Sequence, residues 1–324
     1  MLSTRFTGCL AAVLLLAAGS SALHGQAATG VDAPSARISL PGGLSARVAS
    51  LAGTAQELTV VDSAQPLPDL MLQFAMSPAK RAALDQLVAA QQDPTSSEYH
   101  RWLTPEQFRT RFGVDGTQES AVLQWLSAQG FTVKEISRGG LFVRFSGTVG
   151  QAQQAFGASI HRVIVQGESH TANTKALSVP SVFANVIAGI HGLDDFRPRS
   201  HGTTRTVASS SAGPLFTTAS GTHYLAPGDV NSIYGKTALP SSVTGLGVTI
   251  AVVGQSDINL SDIAAFQTAA GLPLKAPSVT TYGSDPGSPA ADLAEAEMDL
   301  EWAGAIAPGA NILYVNSNDA IAGS

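Results

Sequence analysis

The sequence predicts an α+β domain over residues 66–196, followed from residue 223 by the first part of a doubly wound parallel α/β sheet. Three observations predict it. Between residues 70 and 165, short alternating apolar runs interleave with helical stretches that open on capping residues. Between residues 247 and 315, compact apolar runs and helical stretches follow in the order strand–helix–strand–helix–strand, the pattern of a parallel sheet covered by helices. Separating the two, residues 197–222 are rich in Ser, Thr and Gly with little periodicity, as expected of a flexible, protease-accessible connector.

Composition agrees with two folded cores. The chain has 324 residues, of which 44% are hydrophobic and 13% charged, too apolar and too weakly charged for a disordered chain. Its net charge of −6 is unevenly spread. Residues 31–200 carry fourteen basic and fourteen acidic groups, whereas residues 201–324 carry three basic and ten acidic. An acidic second part argues against a nucleic-acid partner and suits a protein that works in acid. At the N-terminus, Arg5 precedes a short apolar run at residues 9–18 and then small residues, with cleavage expected between Ala22 and Ala28. Residues 1–28 therefore read as a secretory signal, and the run is too short to span a membrane. No second apolar run reaches membrane length, so no membrane association is expected once the signal is gone. The one cysteine, Cys9, leaves with the signal, so no disulfide, thiol nucleophile or thiolate metal site is expected.

In chain order, residues 29–65 read as an extended arm with a strand near 57–61. Residues 70–75 alternate like a strand. Ser77-Pro78 opens a helix to about Gln91, with Leu84, Leu87 and Val88 as its apolar stripe. Thr104-Pro105-Glu106-Gln107 is a capping box that opens a second helix. A third covers about 118–129 and ends at Gly130. Residues 131–136 and 141–146 read as strands about a Gly139-Gly140 turn. A helix at 149–156, a strand at 159–165 and a short helix at 182–190 follow. His100, His161 and His170 are scattered and read as structural.

From residue 223 a short helix comes first. Residues 247–253 (GVTIAVV) are a continuous apolar run, expected of a strand buried on both faces. Asn259 to about Ala270 is a helix, 278–282 a strand, and 311–315 (NILYV) another buried strand. Between the last two lies AEAEMDLEWAGAIAPGANI, helical to about Ala307 and stopped by Pro308-Gly309. At about 100° per residue, Glu295 and Asp299 lie one above the other on one face. Trp302 joins them, Asp292 flanks them, and Glu297 and Glu301 point the other way. No Lys or Arg follows Lys275, so nothing local in sequence neutralises the pair. Adjacent carboxyls raise each other's pKa, and burial raises it further. Carboxyls at unequal pKa are suited to proton transfer. A solvated acidic helix face is the plainer reading of the spacing.

The wording around these positions resembles the sedolisin (kumamolisin-like, serine-carboxyl) peptidases. In the helix it is Glu295-x-x-x-Asp299 followed by Glu301-Trp302-Ala303-Gly304-Ala305-Ile306-Ala307-Pro308-Gly309-Ala310. Upstream, Tyr99-His100-Arg101-Trp102-Leu103-Thr104-Pro105-Glu106-Gln107-Phe108, Phe145-Ser146-Gly147-Thr148 and Gly192-Leu193-Asp194-Asp195-Phe196 resemble the activation prodomain of the same peptidases. The stretch 223–235 resembles the start of the mature enzyme. The resemblance implies a ferredoxin-like prodomain at 66–196, a linker at 197–222, and at 223–324 the N-terminal part of a subtilisin-like peptidase domain. It implies a secreted acid endopeptidase zymogen whose prodomain assists folding and blocks the cleft, with polypeptides as substrates and the intramolecular prodomain contact as its main partner interaction. A monomer is the default. Glu295 matches the family's general base and Asp299 the carboxyl that supports it. At neutral pH, prodomain cations would pair with the carboxyl-rich peptidase part and acid would break the pairing.

Two departures qualify the match. Some members carry a glutamate directly after the first strand of the peptidase sheet, extending the catalytic network; here that place is Gly254, and the nearby Asp257 reads as a turn or cap residue. The family's nucleophile is the serine of a downstream Gly-Thr-Ser, a tripeptide absent from these 324 residues. The oxyanion aspartate and the calcium site implied by the resemblance also fall past residue 324. The expectation is the front part of a longer precursor, or a truncated gene product, without activity as written. The alternative is a non-enzymatic secreted inhibitor or folding helper with a vestigial protease stub. A two-carboxylate glycosidase fits poorly, because carboxyls one helical turn apart cannot flank a sugar bond.

Overall fold

In the computed structural model, residues 36–42, 44, 46–49, 59–165, 167–196, 216–217, 221 and 223–318 are described. The expected signal segment and most of the expected linker lie outside them. The segment expected as an extended arm contains β1 (Arg37–Ser39), a short helix α1 (Ala46–Ala49) and β2 (Thr59–Val60). It is more than an arm, because Leu40 and Val48 are buried. Arg37 Nη2 donates to the carbonyls of Ala155 and Ser178, both at 2.6 Å, and fastens β1 to the body of the domain.

The α+β region continues with β3 (Pro66–Phe74), α2 (Pro78–Gln92), α3 (Pro105–Phe112), α4 (Gly116–Ala128), β4 (Thr132–Ile136), β5 (Phe142–Thr148), α5 (Val149–Phe156), β6 (Ile160–Val165), β7 (Glu168–Asn173), β8 (Ser178–Pro180) and β9 (Ile187–His191). Local sequence explains the helix starts. Ser77 accepts the N–H of Lys80 ahead of Pro78. Thr104 and Gln107 form the expected reciprocal box, at 3.2 and 2.8 Å, and Thr148 and Gln151 form a second. Gly157 ends α5 in the left-handed conformation at φ 66°.

Four strands make an antiparallel sheet in the order β4-β5-β3-β9. Alternation directs Leu70, Leu72, Val143 and Phe145 to the core with Val122, Leu126 and Phe156 from the helices. Phe131, Phe145 and Phe156 pack ring on ring, with centroids 5.1–6.1 Å apart. A smaller sheet orders β2-β6-β7, and β1 pairs with β8.

The expected helix at 182–190 is instead one 3₁₀ turn (Ser181–Phe183) and the strand β9, paired to β3. Phe183, Val186, Ile187 and Ile190 do fall on a helical spacing and are buried. The irregular register opposite Phe74 and the preceding turn generate that spacing without a helix. In α2 the stripe is also narrower than expected: Leu87 and Gln91 are buried, but Val88 is 50% exposed.

The second region comprises β10 (Phe216–Thr217), β11 (His223–Tyr224), α6 (Pro227–Ile233), β12 (Thr249–Gly254), α7 (Leu260–Ala269), β13 (Ser278–Thr281), α8 (Ala290–Ile306) and β14 (Asn311–Asn316). The strands β12-β14-β13 form a parallel sheet with β14 central. Ile312 and Tyr314 of β14 pack with Ile263 of α7 and with Ala296 and Leu300 of α8. The expectation that 247–253 is buried on both faces is not met. β12 alternates exposed and half-buried positions, and Val248 and Val253 are about half exposed, because β12 is an edge strand here. No helix among the described residues is long and apolar enough to cross a membrane.

Candidate active site

Helix α8 follows the connection from β13 and returns the chain to β14. Its N-cap is Pro289 and it ends at Ala307, one residue before the expected Pro308-Gly309 stop. Ala296 and Leu300 turn inward against Tyr314 and Ile263. That orientation leaves Glu295 half-buried and Asp299 the more exposed of the two, on a neighbouring stripe. Partial burial raises the Asp299 pKa, and the charge of Glu295 raises it further. The two carboxyls therefore feel each other, as one-turn spacing requires.

Glu297 and Glu301 face away from that pair, towards α7. Glu297 Oε1 accepts the N–H of Asn259, the α7 N-cap, at 2.8 Å, so this carboxylate sits at a helix N-terminus, where negative charge is favoured. Burial, then the charges of Glu297 and Asp262, push the Glu301 carboxyl up to about 7. Trp302 packs against Phe266 of α7 with centroids 6.1 Å apart, so its ring belongs to the helix–helix contact. Lys275, the last cation of the chain, donates to the carbonyls of Gly309 and Ala310, past the end of α8.

At the ends of β12 and β14 lies a polar group that sequence reasoning missed. The Tyr314 side chain is fully buried, and its hydroxyl donates to the Ser256 carbonyl at 2.7 Å. Burial pushes its phenol up to about 12 despite that bond, and the charges of Asp257, Asp299 and Asp292 add to the rise. A Cβ on Gly254 would stand 2.3 Å from the Tyr314 hydroxyl oxygen. The position where the resemblance expected either glutamate or nothing is thus closed to any side chain while Tyr314 keeps its place. The single aromatic in the apolar run Ile312–Val315 was the one available signal. Asp257 is neither cap nor simple turn residue: its Oδ1 accepts from Asn316 Nδ2 at 2.8 Å, tying the loop after β12 to the end of β14. Among the described residues, no three or more His, Cys, Asp or Glu side chains are grouped to hold a metal ion.

The α+β region meets the second region at the loop after β13. Tyr282 Oη donates to Glu135 Oε2 at 2.5 Å, Ser284 donates to Asp69, and Arg144 lies 4.3 Å from the centre of the Tyr282 ring. Among the described residues, the expected pairing of cations from the first region with carboxylates of the second is not seen. Lys134 and Arg144 pair with Asp69, and Arg144 approaches Glu135 at 3.6 Å, all within the first region. Between described residues, no ion pair crosses from one region to the other.

Comparison with known proteins decides the relationship. Residues 56–196 match the family described as Pro-kumamolisin, activation domain. The chain is 28% identical over 233 residues to xanthomonalisin of Xanthomonas sp. (strain T-22), covering 70% of this chain and 27% of that protein. It is 26% identical over 222 residues to sedolisin of Pseudomonas sp. (strain 101), covering 68% and 36%, and 28% identical over 222 residues to kumamolisin of Bacillus sp. (strain MN-32), covering 65% and 38%. These similarities support a sedolisin-family peptidase precursor with its prodomain. The matched residues, 56–196, make up most of its α+β region. The matched portions are 27–38% of the length of these relatives. Each match is longer than the activation-domain segment alone, so the resemblance continues outside residues 56–196.

Proposed function

We propose that this chain is part of a secreted acid serine-carboxyl endopeptidase zymogen, in which Glu295 is the general base and Asp299 supports it. The observation that carries the reading is the Glu295–Asp299 pair, one turn apart on α8, with the Asp299 pKa raised by burial and by its neighbour. The nucleophile is assigned by family resemblance to the serine of a Gly-Thr-Ser segment, which these residues do not contain. Glu295 takes the proton of that serine hydroxyl as the oxygen attacks the peptide carbonyl. It returns the proton to the leaving amine, and water then clears the acyl-enzyme by the same route. Asp299 shares a proton with Glu295 and orients it. A base that must be ionised beside an acid that must hold a proton works in the acid range.

The fold assignments belong to the same reading. Order β9-β3-β5-β4, with helices after the first and third strands in chain order, supports a ferredoxin-like activation domain. Parallel β12-β14-β13 with α7 and α8 as crossovers supports the start of a subtilisin-like domain. Calcium is placed by the resemblance outside this sequence, so no residue here is assigned to it. The test is Glu295→Gln and Asp299→Asn, each made in a precursor that includes the Gly-Thr-Ser segment. Both variants are expected to fold and to lose self-processing at acid pH. Normal maturation of either would refute the assignment.

A further inference from the structure

The four-stranded sheet of the activation domain has one face against its helices and one turned towards the peptidase segment. Arg144 sits on the second face, between the core residues Val143 and Phe145, yet it is only 9% exposed. Around it stand Asp69 of β3 and Lys134 and Glu135 of β4. Asp69 Oδ1 accepts from Arg144 at 2.7 Å and from Lys134 at 3.2 Å, and Lys134 also donates to the Pro68 carbonyl at 2.5 Å. Two cations and two carboxylates balance one another, and the carboxylates retain free acceptor positions.

The tripeptide Tyr282-Gly283-Ser284 fills those positions. The Tyr282 hydroxyl donates to Glu135, its ring lies against the Arg144 guanidinium, and the Ser284 hydroxyl donates to Asp69. Gly283 is favoured on two counts. Its φ is +80°, and a Cβ there would stand 3.0 Å from Arg144 Nη2. Tyr282 N–H donates to the Asn316 carbonyl at 2.8 Å and Asn318 N–H to the Ser284 carbonyl at 3.1 Å, which locks the tripeptide onto the end of β14.

We propose that Asp69, Lys134, Glu135 and Arg144 form a receptor on the activation domain that selects its peptidase partner by an aromatic-hydroxyl–glycine–hydroxyl loop, read here in cis. This rests on the activation-domain assignment and specifies which surface and which partner chemistry carry the recognition. No formal charge is exchanged across the contact, so selection works by shape and by the two hydroxyl donors. A partner with Phe at 282 leaves Glu135 without its donor. A partner with any side chain at 283 meets the guanidinium.

The experiment is amide hydrogen exchange on the full chain, comparing wild type with Tyr282→Phe, Ser284→Ala and Arg144→Met. Each loss of a hydroxyl donor to a carboxylate is expected to lower protection of the 278–290 segment by about tenfold, and Arg144→Met by more. Amides of central β3 and β5 serve as the control for folding, and Tyr282→Phe tests the contact if Arg144→Met disrupts the sheet. Raising salt from about 0.05 to about 0.5 M is expected to change the wild-type value less than about twofold. Unchanged protection in Tyr282→Phe and Ser284→Ala, or a tenfold loss from salt alone, overturns the proposal. The readout needs no catalysis, so its failure is separate from a failure of the self-processing test.

Discussion

Glu301 gives the most quantitative handle on the second region. Its carboxyl is pushed from 4.5 to about 7 by burial between α8 and α7 and by the charges of Glu297 and Asp262. A raised carboxyl pKa means that the folded state binds the proton more tightly than the unfolded chain. The associated stability is full below pH 4.5 and is lost as pH rises through about 7. The whole difference corresponds to at most ~3 kcal/mol. The group keeps solvent contact, and screening reduces the expected effect to ~1–2 kcal/mol. Glu301→Gln removes the ionisation while keeping the shape. It is expected to stabilise α8 and β14 by ~1–2 kcal/mol at pH 8 and to leave them unchanged at pH 4. Because the chain has more than one core, the assay is local: exchange of the slowest α8 and β14 amides, with carboxyl NMR to follow Glu301 itself. An equal effect at both pH values, or a Glu301 midpoint at the ordinary value, would refute the burial argument.

Two further predictions test packing. Gly254→Ala is expected to destabilise the parallel sheet by ~1–3 kcal/mol through collision with the Tyr314 hydroxyl, and Tyr314→Phe in the same chain should recover part of that loss. Urea titration of the four species measures the coupling, and additive effects would contradict the contact. Thr104→Ala removes the hydroxyl that accepts the Gln107 N–H and is expected to cost ~1 kcal/mol in the activation domain, seen as a lower thermal midpoint.

What the sequence made legible was local. Thr104 with Gln107, Ser77 before Pro78, and Gly130 after α4 each announce a helix end by chemistry within four residues. Glu295 and Asp299 share a stripe because helical periodicity alone puts them there. Contacts between distant segments were not legible. Residues 182–190 carry a helical spacing that only pairing with β3 turns into a strand. The run 247–253 looks fully buried until its position at a sheet edge is known. Glu168–Asn173 is too polar to read as a strand, yet pairing with β6 makes it one. Nothing local to Tyr282 or Arg144 indicates that they meet, and Tyr314 gains its place beside Gly254 only through parallel pairing of β12 and β14.

The central claim is that Glu295 and Asp299 act as one proton-sharing unit. The most direct measurement is the site-resolved carboxyl titration of Asp299 in this chain, with and without Glu295→Gln. The account predicts an Asp299 midpoint above 3.8 that falls when Glu295 loses its charge. An Asp299 midpoint at or below 3.8, or one indifferent to Glu295→Gln, would contradict it.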